Sequence, residues 1–171
     1  MDTIGYIAQS AFPLVWILVP AIGAFVRTRR VTSLRERLEI WQRWWAVGAF
    51  GIGSLGMTFA FLAFPDVMAT AIGFHRTPFM FEIAVANLGL AVLGFRAASA
   101  AARERITIGL GGGMFLWGAL IGHVYQWFAN GDHAPGNTGG VLITDLLIPA
   151  VMIALAVRSR RVGGTSPAAF A

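Results

Sequence analysis

The sequence contains no cysteine, which excludes disulfides, thiolate metal centres, covalent haem attachment and thiol catalysis. It contains no lysine either, since all 13 basic residues are arginines, so a retinal or pyridoxal Schiff base has no side-chain amine to form on. Charge is scarce altogether. Only 12% of the 171 residues are charged against 57% hydrophobic, which is far from a soluble composition and amounts to one domain in a bilayer. The net charge of +5 would suggest nucleic acid in a soluble protein. Here the arginines stand in short blocks between apolar runs, where orienting a membrane chain is the simpler job, and no nucleic-acid partner is expected. The run Gly111-Gly112-Gly113 lacks the lysine of a phosphate-binding loop and reads as helix packing. No internal repeat is visible, so the duplicated broken helices of a secondary transporter are not evident.

What is present is a series of apolar runs. Ile4 to Val26 is uncharged for 23 residues, enough to cross a hydrocarbon core of about 30 Å. It begins with Asp2 rather than a basic segment, so a retained helix is expected in preference to a cleaved signal peptide, with bends at Pro13 and Pro20. Further helices are expected over 46–64, 79–102, 106–128 and 141–157. The domain is then a single all-α polytopic membrane bundle of about five helices over 1–161, with a flexible tail over 162–171.

Ser33-Leu34-Arg35-Glu36 has the form of a capping box, and Leu34, Leu38, Trp41 and Trp45 form an apolar stripe that leads into the second helix. This basic segment reads either as an anchored interfacial turn or as a surface for anionic lipid or a partner. Gly48, Gly51, Gly53 and Gly56 supply a small-residue face for close helix packing. Every arginine but Arg76 falls on one side of the five-helix topology. That asymmetry predicts a cytoplasmic C-terminus, an outward N-terminus and residence in the inner (plasma) membrane.

The polar residues inside the spans single out a site. Glu82 in the third helix, His123 near the end of the fourth and Asp145 early in the fifth each fall about 6 to 8 Å below the outer boundary. Ionisable groups at that depth cost free energy and mark functional positions, or they pair to hold helices together. Asn87, Gln126 and Asn137 complete the candidate ligand- or ion-binding set, and His123, Glu82 and Asp145 are also the candidates for a metal. Pro149 withholds the hydrogen bond that the Asp145 carbonyl would normally accept.

Several of these residues fall into a pattern. Phe81-Glu82 with Asn87-Leu88-Gly89, Leu116-Trp117-Gly118-Ala119, Gly122-His123 with Tyr125-Gln126, Ala134-Pro135-Gly136-Asn137 with Gly139, and Asp145 with Pro149 resemble a family of small multi-pass prokaryotic membrane proteins of unknown function. The resemblance covers roughly 79–149, supports the site residues and supplies no chemistry or cofactor. A similarity in layout to small DoxX-like helical bundles rests on size and helix number alone.

The functional expectation is an outward-facing Glu/His/Asp pocket for a proton, cation or small molecule, in transport or sensing. A membrane enzyme acting on a lipid-like or quinone-like substrate, and an accessory subunit bound to a protein partner or to its own copies, are the alternatives.

Overall fold

In the computed structural model, which describes residues 2–164, helices form the whole architecture and no strand occurs among the described residues. Five helical stretches are long and apolar enough to cross a membrane. These are α1 (Thr3–Thr28), α2 (Leu34–Ala63), α4 (Phe79–Ala97), α5 (Ala102–Asn130) and a fifth span over Pro135–Gly163. The fifth comprises the short α6 (Pro135–Thr138) and α7 (Val141–Gly164), and α3 (Pro65–Ala71) lies in the connection before α4. Large apolar side chains such as Phe59, Val92, Met114 and Ile121 are more than 60% exposed on these helices. In water such a surface would aggregate, whereas in a bilayer it faces acyl chains. The chain is a multi-pass membrane protein.

Local chemistry sets the helix ends. The Asp2 side chain accepts from the Gly5 amide at 2.7 Å, and the Ser33 hydroxyl accepts from the Glu36 amide at 3.4 Å, so both helices begin on a capping side chain. Pro13 tightens α1 into a 3-10 turn over Phe12–Leu14, while Pro20 stays within the helix. The second helix starts at Leu34 rather than at residue 46, because nothing after the Ser33 cap breaks it until Phe64-Pro65. Midway it relaxes into a π-helix over Trp45–Ile52. The third span stops at Ala97 instead of 102, and the last helix runs on to Gly164. Most of the expected 162–171 tail lies outside the described residues.

The helices pack as two antiparallel pairs, α2 with α4 and α5 with α7, and α1 leans on α2. At the first crossing the backbones touch. A Cβ on Gly94 would strike the Gly51 amide, and one on Gly51 would meet the Phe95 ring at 2.8 Å, so only glycine permits this approach. Between the pairs lies a core of Trp45, Phe50, Leu90, Ile108, Ile148 and Met152, with Phe50 fully buried. Trp45 Nε1 donates to the Ile148 carbonyl at 2.9 Å, which ties α2 to α7.

The arginine-rich end is closed by a buried cation. Arg105 holds both oxygens of Glu39, at 2.7 and 2.9 Å, and donates to the carbonyls of Ala97 and Ala98 at 2.8 and 3.0 Å, with its side chain only 3% exposed. The fork geometry of guanidinium suits this double duty, and it joins α2 to the end of α4 and the start of α5.

Candidate functional site

At the opposite end the chain turns between α5 and α7, and the turn is built by its small and polar residues. Gly131 ends α5 in the left-handed region with φ 65°, a conformation that costs glycine nothing. The Asp132 carboxylate then accepts from the Ala134 amide at 2.9 Å, and Pro135 opens α6. The Gly140 amide donates to the Ser10 carbonyl at 2.6 Å, and Tyr6 donates its hydroxyl to the His133 carbonyl at 2.9 Å, so α1 clamps the turn from the side. Gly136 sits over the Ala71 carbonyl, where a Cβ would come within 2.7 Å of the oxygen, and this seats the turn on α3.

That clamp places Asn137 wholly out of solvent, between α5 and α7. Its Oδ1 lies 2.6 Å from His123 Nδ1, and its Nδ2 donates to the Asp132 carbonyl at 3.4 Å. Because the amide nitrogen is used on a carbonyl, Oδ1 faces the imidazole as an acceptor, and Nδ1 therefore carries the proton. The other imidazole nitrogen, Nε2, faces Asp145 Oδ2 at 3.6 Å. Both side chains are mostly buried, with 18% of His123 and 10% of Asp145 exposed. One proton on this pair can belong to either residue, as imidazolium facing carboxylate or as neutral imidazole facing carboxylic acid. The separation is slightly long for a direct hydrogen bond, and a shift of about half an ångström would close it.

The surroundings of Asp145 are equally specific. Pro149 is fully buried one turn further along α7 and has no N–H to offer the Asp145 carbonyl. Trp117 Nε1 donates to the Leu146 carbonyl at 3.3 Å, so α5 holds the proline-interrupted turn as well as the carboxylate.

The structure thus brings together His123, Asn137 and Asp145 from the expected set and leaves the other three apart. Glu82 is exposed in the first turn of α4, with no ion pair or side-chain hydrogen bond among the described residues. Asn87 is buried but bonds to the Ile83 carbonyl of its own helix at 2.9 Å. Gln126 accepts from Asn130 one turn on along α5. No group of three or more His, Asp or Glu side chains suited to a metal occurs among the described residues, so His123, Glu82 and Asp145 do not assemble as one. Two surface clefts, of about 390 and 420 Å3, lie elsewhere, and neither is lined by His123, Asn137 or Asp145. The cluster is a packed contact between helices.

Sequence reasoning passed over Ser10 and did not count Asp132 among the site residues. Ser10 Oγ and Asp132 Oδ2 are both buried without a hydrogen-bond partner at this end of the bundle. The one signal for Ser10 is a small hydroxyl within an otherwise apolar run, and Asp132 in a loop reads as solvated.

A family model described as a family of unknown function, DUF6790, matches residues 10–165. No curated protein and no solved structure matches the chain.

Proposed function

The chain belongs to the DUF6790 family, whose function is unknown, and from the chain's own residues we propose that it is a membrane protein that binds and releases a proton at the His123–Asp145 pair, in transport or sensing. The observation that carries this reading is the 3.6 Å approach of an imidazole Nε2 to a buried carboxylate, with the other imidazole nitrogen held by Asn137. Imidazole is the side chain that changes charge most readily near neutral pH, and intramembrane His and Asp pairs suit proton relays. The positive-inside asymmetry supports an orientation in the plasma membrane with the arginine-rich end cytoplasmic and this pair toward the outer face. Dense packing around the pair favours a second reading, in which it only fastens α5 to α7.

Nitrogen-15 spectra of histidine-labelled protein in nanodiscs separate the two. The chain has three histidines, so His75→Gln and His133→Gln assign the signals. On the proton-site reading, the Nε2 signal of His123 changes across a pH series, and Asp145→Asn displaces that change in a protein that still folds. A signal that stays constant, with Asp145→Asn lowering only the melting temperature, decides for the fastening role.

Orientation has its own test. Reporter fusions after Gly131 and at the C-terminus are expected to report opposite sides of the membrane, the latter cytoplasmic. Both reporters on one side would remove the basis for an outward-facing pair.

A further inference from the structure

A cleft of about 390 Å3 runs between α1 and α2, walled by Val19 and Pro20 on one side and Val47 and Ile52 on the other, with Arg43 and Trp44 at one end. The helices are antiparallel there, since a Cβ on Gly23 would meet the Trp44 ring and one on Gly56 the Trp16 ring. The Arg43 end is therefore the arginine-rich end of the bundle. From Arg43 to Ile52 the cleft extends along roughly two turns of helix. Part of its floor is the π-helix, whose widened turns often mark functional segments.

The charge at the mouth is unbalanced. Glu39 lies between two guanidiniums, bonded by both oxygens to the buried Arg105 and by one, at 2.8 Å, to Arg43. One carboxylate cannot neutralise two cations, and the residual positive charge rests with Arg43, whose side chain is 64% exposed. Arg35 and Arg37 stand exposed on the same helix with Glu36 between them, Arg27 lies in the last turn of α1, and Arg29 and Arg30 follow it. Below this mouth the walls are apolar and lie within the membrane-crossing stretch, where acyl chains are the medium. A cleft of this volume is too small for a helix about 10–12 Å across, whereas part of an extended hydrocarbon chain can lie along it.

We infer that the α1–α2 cleft is a binding site for a phospholipid with a net anionic headgroup, its phosphate against Arg43 and one acyl chain lying along Val19, Pro20, Val47 and Ile52. The site is separate from the His123–Asp145 pair and does not depend on the role proposed for it. It absorbs the basic segment after α1, whose arginines otherwise serve only orientation.

Native mass spectrometry of the purified protein in mild detergent tests this with two probes, phosphatidylglycerol and phosphatidylcholine carrying identical chains. Wild type is expected to retain the anionic lipid about five-fold better, the factor contributed by one basic residue at an anionic surface. Arg43→Gln should bring that preference close to one, Arg43→Lys should preserve it, and Arg76→Gln at the other end should leave it unchanged. Val19→Trp, which fills the cleft from an exposed position, should reduce retention of both lipids, and circular dichroism of every variant confirms that it is folded. Equal retention of the two lipids by wild type, or a preference that survives Arg43→Gln, overturns the inference. So does a lipid-free dimer that Val19→Trp dissociates, because the cleft would then be a contact between two copies of this chain.

Discussion

Arg105→Met is expected to destabilise the bundle by about 3 kcal/mol, the low end of the range for breaking a buried ion pair, and to lower its melting temperature in detergent by several degrees. The guanidinium makes four hydrogen bonds from a side chain that is 3% exposed, two to Glu39 and one each to the Ala97 and Ala98 carbonyls. Those carbonyls belong to the end of α4, where the Ala97 carbonyl also accepts from the Ala100 amide at 3.3 Å, so the loss of Arg105 is only partly made good internally. The low end applies because Glu39 is 37% exposed and keeps Arg43, which spares it the isolation of a fully buried charge. Arg105→Lys should recover little, since an ammonium group cannot grip both carboxylate oxygens while reaching two carbonyls in the same plane. Arg43→Gln is the control: it removes an exposed pair on one helix and should shift stability by less than about 1 kcal/mol. Similar melting temperatures for Arg105→Met and Arg43→Gln would show that the buried bonds do not close this end.

The contrast between those two arginines shows where sequence reasoning stops. Both sit in basic segments flanking apolar runs, and hydropathy treats them alike, yet one is in the core and the other at the surface. The same limit applied to Glu82. Its depth in the span was legible, because position along a helix follows from counting residues from its end. Its azimuth was not, because α4 is apolar on nearly every face and lacks a polar stripe to reveal which side packs inward. His123 and Asp145 were legible as rarities, and the short turn between their helices leaves few ways to arrange them except opposite each other. The clamp from Ser10 and Tyr6 was invisible because it uses a backbone carbonyl and a hydroxyl more than 120 residues from its partners, a contact that local pattern does not encode. The five spans were read because uninterrupted apolar runs have no other stable outcome in a bilayer.

Asn137→Ala is expected to have the other large effect, a loss of about 2–4 kcal/mol, from one buried imidazole N–H left without an acceptor and the small cavity left by the amide. Asn137 is entirely inaccessible and meets both the imidazole and the Asp132 carbonyl, so no solvent stands ready to replace it. Stability alone would not show that Asn137 orients a working imidazole, since any buried side chain lowers the melting temperature when truncated. The tautomer supplies the second readout. With Asn137 present, the neutral imidazole keeps its proton on Nδ1 and presents a bare Nε2 toward Asp145, and histidine nitrogen-15 shifts of wild type should show that single form at high pH. In Asn137→Ala, Nδ1 has no acceptor, and a mixture of tautomers is expected, with the proton placed on Nε2 in part of the population. Asn137→Asp keeps an oxygen against Nδ1 but exchanges the neutral amide for a buried acid whose other oxygen meets the Asp132 carbonyl; it should restore the proton on Nδ1 while remaining less stable than wild type. Retention of one tautomer in Asn137→Ala would mean that Asp145 alone sets the imidazole, and Asn137 would then be a packing residue beside the pair.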